Sequence, residues 1–110
     1  MRTFGVALAL ALAWGTPAKA SFTTGDELKK WCDDKSPACS AYVRGAVDDL
    51  LFRQIAAGEK KQMCLPEDIE VSQLVDIVAR YLEAYPGISH WSAAILIHNA
   101  LDEKYGCRTG

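Results

Sequence analysis

After Ala20 the chain has no long hydrophobic run, because charged residues interrupt every apolar stretch. A bilayer-spanning helix needs about 20 consecutive apolar residues, so residues 21–110 offer no candidate for one. There is also no basic run, since Lys29-Lys30 and Lys60-Lys61 stand as isolated pairs. Gripping a phosphate backbone takes clustered Lys and Arg, so the composition argues against nucleic acid as a partner. Histidine is scarce, with only His90 and His98, and no GxSxG stretch is present to form a nucleophile elbow. Neither a CxxC knuckle nor close Cys/His spacing occurs, so zinc has no recognisable ligand set. Internal repeats and low-complexity segments are absent too, and no residue pattern calls for a cofactor. A single domain is expected.

What is present begins with an address. Arg2 gives a minimal positive start, Phe4 to Trp14 form an apolar run, and Ala18-Lys19-Ala20 ends in a small-x-small pattern. These features predict a signal peptide over residues 1–20, cleaved after Ala20, and export to the periplasm. No cysteine lies at Ser21 to take a lipid. Cleavage removes two cations and no acid, which takes the formal charge from −2 to −4.

All four cysteines, Cys32, Cys39, Cys64 and Cys107, fall in the remaining 21–110. An even count in a short exported chain reads as a disulfide framework. Three pairings are open, of which Cys32–Cys39 and Cys64–Cys107 are favoured as a local clasp and a long tie. On the chain-entropy argument these are worth up to roughly 2.5 and 4 kcal/mol. A domain this small buries limited apolar surface and gains most from such ties.

The apolar spacing predicts an all-α fold, a small bundle of four to five helices over 21–110. Thr24-Gly25-Asp26-Glu27 has capping-box form and opens a short helix through Leu28, Trp31 and Cys32. Ser36-Pro37 starts a second helix, whose expected inner face runs through Cys39, Tyr42, Val43, Ala46, Val47, Leu50, Leu51 and Ile55. Gly58 ends it as a left-handed cap. A connection containing Cys64 and Pro66 leads to a third helix with Val71, Leu74, Val75, Val78, Tyr81, Leu82 and Tyr85 inward. Pro86-Gly87 stops that helix. Ser89 is expected to cap a fourth, with Trp91, Ala94, Ile95, Ile97, Leu101 and Tyr105 inward and Gly106 closing it.

Gly45 is the odd residue, since glycine costs about 1 kcal/mol relative to alanine inside a helix. Its place beside Tyr42 and Ala46 predicts a helix-packing spot where another backbone comes close. Little else points to chemistry. His98 is expected half-buried and structural, and Trp31 and Trp91 are expected in the core. Asp48-Asp49 and Asp102-Glu103 diverge by about 100° on a helix and cannot converge on one substrate. Glu67, Asp68 and Glu70 precede the third helix, where acids favour the helix dipole. They also form a negative edge on which a partner could dock.

Several stretches in order resemble the Tai/Rap immunity family of periplasmic inhibitors. Cys39-Ser40-Ala41-Tyr42-Val43-Arg44-Gly45-Ala46-Val47-Asp48 resembles its C-x-(G/A)-Y-(I/V)-x-G-(V/A)-x-D segment. Met63-Cys64-Leu65-Pro66 is similar to its apolar-C-x-P. Gln73-Leu74, Ile77-Val78, Tyr81-Leu82 and Pro86 match the spacing of its third helix, while Ala94, Ala100-Leu101 and Gly106-Cys107 match its close. The chain departs from the pattern at Glu70, where threonine or serine is usual, and at Gly106, where proline is. The resemblance implies a disulfide-bonded homodimer that plugs the cleft of a type VI secretion amidase effector and does no catalysis itself. Two further readings are an acid-opened periplasmic stress or chaperone-like protein and a small hydrolase.

The first expected outcome concerns the leader: intact-mass analysis of protein recovered from the periplasm should give a chain beginning at Ser21. A mass retaining residues 1–20 would overturn the cleavage assignment.

Overall fold

The computed structural model describes residues 22–58 and 62–108. The leader expected over 1–20 lies outside the described residues. Four α-helices follow one another: α1 (Gly25–Asp33), α2 (Pro37–Ala57), α3 (Val71–Ala84) and α4 (Ala93–Tyr105), with a 3-10 turn at Pro86–Ile88. No extended strand occurs among the described residues, and the all-α bundle expected from the sequence is what forms. Both disulfides pair as favoured, Cys32–Cys39 with Cα atoms 4.9 Å apart and Cys64–Cys107 with Cα atoms 5.1 Å apart.

The helix ends follow local chemistry. Thr24 Oγ1 accepts a hydrogen bond from Glu27 N at 3.3 Å, capping α1. Ser36 Oγ accepts from Ala38 N at 3.2 Å, and Pro37 sits in the first turn of α2. Gly58 ends α2 with φ of 62°, the left-handed geometry that glycine adopts without strain. Glu70 takes the cap position of α3, where its N–H donates to Gln73 Oε1 at 2.8 Å.

Each helix packs against the other three around one core. Leu28 of α1, Val43, Val47 and Leu50 of α2, Leu74, Val78 and Leu82 of α3, and Leu96, Ile97 and Leu101 of α4 are buried there, joined by Met63. Among the described residues no polar or charged side chain is buried.

The fourth helix starts later than expected. Ser92 precedes its first residue, while Ser89 closes the 3-10 turn, so His90 stands outside the helix. The reason is an added contact from the N-terminus. Gly25 N donates to Trp91 O at 2.9 Å, Asp26 N to Ser89 O at 2.8 Å and Ala93 N to Thr23 O at 2.8 Å. These bonds hold 89–92 as a turn that ends in a bridge from Ser92 to Thr24. The inner stripe of α4 is consequently Ala93, Leu96, Ile97, Ala100 and Leu101, while Ala94, Ile95, Trp91 and His98 are exposed. In an apolar run such as Ala93-Ala94-Ile95-Leu96-Ile97, spacing alone does not fix which side faces in. Ile55 and Tyr85 are exposed as well, each near the end of its helix and past its last buried residue, Leu50 in α2 and Leu82 in α3.

The glycine that admits a close approach is Gly25, not Gly45. A Cβ on Gly25 would lie 2.6 Å from Ser89 O and closer still to Leu96 Cδ1. Gly45 is exposed, and a Cβ there would meet nothing within 4 Å. Its expected role as a packing spot inside the bundle is therefore corrected: among the described residues no helix lies over it.

Opposite outcomes are expected at the two positions. Gly25→Ala should destabilise by about 1–3 kcal/mol, the usual cost of overpacking. Gly45→Ala should stabilise the isolated chain by up to about 1 kcal/mol, raising Tm by about 4–8 °C. Thermal unfolding followed by circular dichroism at low protein concentration checks both signs.

Candidate partner-binding surface

The connection between α2 and α3 is the segment whose placement shapes the surface. Gln54, near the end of α2, points its side-chain amide at this segment. Gln54 Oε1 accepts from Met63 N at 2.7 Å and from Gln62 N at 3.0 Å, while Nε2 donates to Met63 O at 3.5 Å. On the other side Cys64 N donates to Tyr105 O at 2.8 Å and Cys107 N to Gln62 O at 2.9 Å. The Cys64–Cys107 disulfide closes this short ladder, and Met63 is buried beneath it. Backbone that would otherwise be a free loop is thus held from two sides and covalently.

Held this way, residues 65–69 form one wall of a cleft of about 340 Å³. Leu51 of α2 with Leu65 and Ile69 of the segment line its apolar part, and Arg44, Asp48 and Glu67 bring charge to it. A shallower depression of about 440 Å³ adjoins it, sharing Arg44 and Val71 and reaching Ala41. A third groove, of about 390 Å³ between α3 and α4, carries Tyr81 and Tyr85 with ring centroids 4.6 Å apart. Apolar area with a few charges at a rigid edge is the composition of a protein-docking surface.

Glu67, Asp68 and Glu70 are all exposed, as a docking edge requires. Glu67 lines the cleft, Glu70 caps α3, and Asp68 lies between them in sequence. Tyr42, Gly45 and Ala46 do not act as one packing unit. Tyr42 is half-buried and leans on Trp31 with centroids 6.1 Å apart, Ala46 sits at the core margin, and Gly45 faces outward. Asp49 is engaged by Arg53 at 3.0 Å, while the adjacent Asp48 lines the cleft. Among the described residues no group of three or more His, Cys, Asp or Glu side chains is placed to hold a metal. Lys29, on α1, is held above the ordinary lysine range by its hydrogen bond to Asp33 and that carboxylate's charge.

The sequence profile of the Rap1a immunity proteins matches residues 24–107, from the cap of α1 to the last cysteine. The chain belongs to this family. No curated protein and no solved structure matches it. Membership in the Rap1a immunity proteins implies a non-catalytic inhibitor that binds a toxin effector. Spacing arguments missed Gln54 and Arg44, because a glutamine or arginine on a helix looks like any solvated residue. Only the fold brings the two beside residues 62–67.

Gln54→Ala should leave the Met63 and Gln62 N–H groups without their acceptor, at a cost of about 1–3 kcal/mol where the group is shielded from water. Hydrogen exchange at these two amides should speed up well before that of the α1 amides. Unchanged protection would show that Gln54 does not hold the segment.

Proposed function

We propose that this Rap1a-family chain is a periplasmic immunity protein that binds and inhibits a peptidoglycan amidase effector of a type VI secretion system. It does so by covering the enzyme with a complementary surface and performs no chemistry of its own. The observation that carries the reading is the family match over residues 24–107, which spans the pinned segment and its cleft. The expected leader and the two disulfides fit an oxidising compartment outside the cytoplasm. Among the described residues no helix is long and apolar enough to cross a membrane.

Two features support a protein as the ligand. The segment bearing Glu67 is already fixed by hydrogen bonds and a disulfide, so docking on it sacrifices little conformational freedom. Glu67, Asp68 and Glu70 give the rim a negative character that would steer it onto a basic enzyme surface. The acid-opened chaperone reading fares less well. It needs buried carboxylates whose protonation loosens the core, and no ionisable side chain is buried among the described residues.

The test is calorimetric titration of the mature protein into amidase effectors encoded alongside it, with cell-wall peptide cleavage measured in parallel. A complex that abolishes cleavage is expected. Glu67→Lys combined with Asp68→Lys should slow association by about tenfold or more at low salt and flatten its salt dependence. If no amidase binds, the immunity reading fails and the family assignment alone remains.

A further inference from the structure

The two disulfides stand in different surroundings. Cys32 and Cys39 both belong to helices, α1 and α2, and Cys39 is only 3 % exposed while Cys32 is half-buried. Cys64 and Cys107 both lie outside the helices, and Cys64 is exposed with Cys107 half-buried. Thiol–disulfide exchange begins with a thiolate reaching one of the two sulfurs, so access decides which bridge reacts first. What happens after cleavage differs as well. Thiols freed between α1 and α2 stay side by side, because those helices pack on each other through the core, and the bridge re-forms. Cysteines on two non-helical segments are free to part.

We infer that Cys64–Cys107 is a redox latch on the cleft: a dithiol reduces it in preference to Cys32–Cys39 and frees residues 62–69 while the helical core stays folded. A thiolate of the dithiol attacks Cys64 Sγ, a new S–S bond forms to it, and Cys107 leaves as a thiolate. The second thiol of the reductant, as its thiolate, then displaces Cys64 from the mixed disulfide. An electron pair has passed to the protein, the reductant is left as its own disulfide, and Cys64 and Cys107 each end with one proton.

The opening is local because the bond holds little of the core. Among the described residues Met63 is the one buried side chain of the α2–α3 connection, and Leu65 and Ile69 pack at the core margin. The other buried side chains belong to the helices, and the attachment of residues 23–26 to 89–93 is untouched. Without the sulfur tie, residues 62–64 keep only the Gln54 amide and the backbone bonds to Tyr105 and Cys107. Gln62 and Cys64 are exposed, so water competes for those bonds and their net contribution is small. Segments held in this way open separately from the core, and the cleft wall at Leu65, Pro66, Glu67 and Ile69 loosens with the segment. A consequence for partner binding rests on the reading of this cleft proposed above, whereas the latch itself does not.

The test uses the mature oxidised protein alone, with dithiothreitol as the dithiol. Thiols trapped by iodoacetamide and mapped by peptide mass should show Cys64 and Cys107 freed at least about tenfold faster than Cys32 and Cys39. At that stage hydrogen exchange at residues 62–69 should rise by about tenfold or more, while amides of the core helices keep their protection. Oxidised dithiothreitol should restore the slow exchange. The Cys64→Ser/Cys107→Ser variant should exchange fast over 62–69 without any reductant, and the Cys32→Ser/Cys39→Ser variant should leave that segment protected. Three results would each overturn the latch: Cys32–Cys39 reduced first or at the same rate, exchange over 62–69 unchanged on reduction, or helix amides losing protection together with the segment. Amidase binding by the oxidised protein is read in a separate titration, so failure of one leaves the other standing.

Discussion

Residues 62–64 lie against 105–107, and most of the candidate binding surface depends on that closure. A short backbone segment leaving a long helix has unpaired N–H and C=O groups, and water competes for all of them. Here Gln54 supplies an acceptor from one side and the end of α4 supplies partners from the other. The Cys64–Cys107 bond then removes a loop of 43 residues from the freedom of the unfolded chain. With the segment fixed, Leu65 to Ile69 become a wall, and the space between that wall and α2 becomes a defined cleft.

The N-terminal end is secured by a different device. Residues 23–26 pair with 89–93, and this works because Gly25 has no side chain to collide with Ser89 and Leu96. The two attachments lie at opposite ends of the sequence, and both involve the flanks of α4. Every other helix packs on that one, and among the described residues the small core is closed from both ends without any buried charge. A protein organised this way offers its surroundings a firm outer surface, which suits the proposed inhibition by contact because little would be lost in ordering it.

The longest helix carries apolar side chains on two sides. One side supplies Val43, Val47 and Leu50 to the core. The other carries Phe52 and Ile55 into solvent next to small residues. The four-residue step from Leu51 puts Ile55 on the same expected inner face as Val43, Val47 and Leu50, whereas in the fold it is exposed.

The order of elements, the caps at Thr24, Ser36 and Gly58, the all-α class and the favoured disulfide pairing were all legible in the residues themselves. They rest on interactions between near neighbours in sequence, or on a covalent count that few arrangements satisfy. The phase of α4, the exposure of Trp91 and His98, the grip of Gln54 and the role of Gly25 were not. Each of these depends on which distant segment arrives alongside, as when 23–26 docks on 89–93 and delays the start of α4. Local sequence sets where a helix can begin and end. Only the packing of the whole chain decides which of its sides is turned inward, because that choice is made by the neighbour and not by the helix.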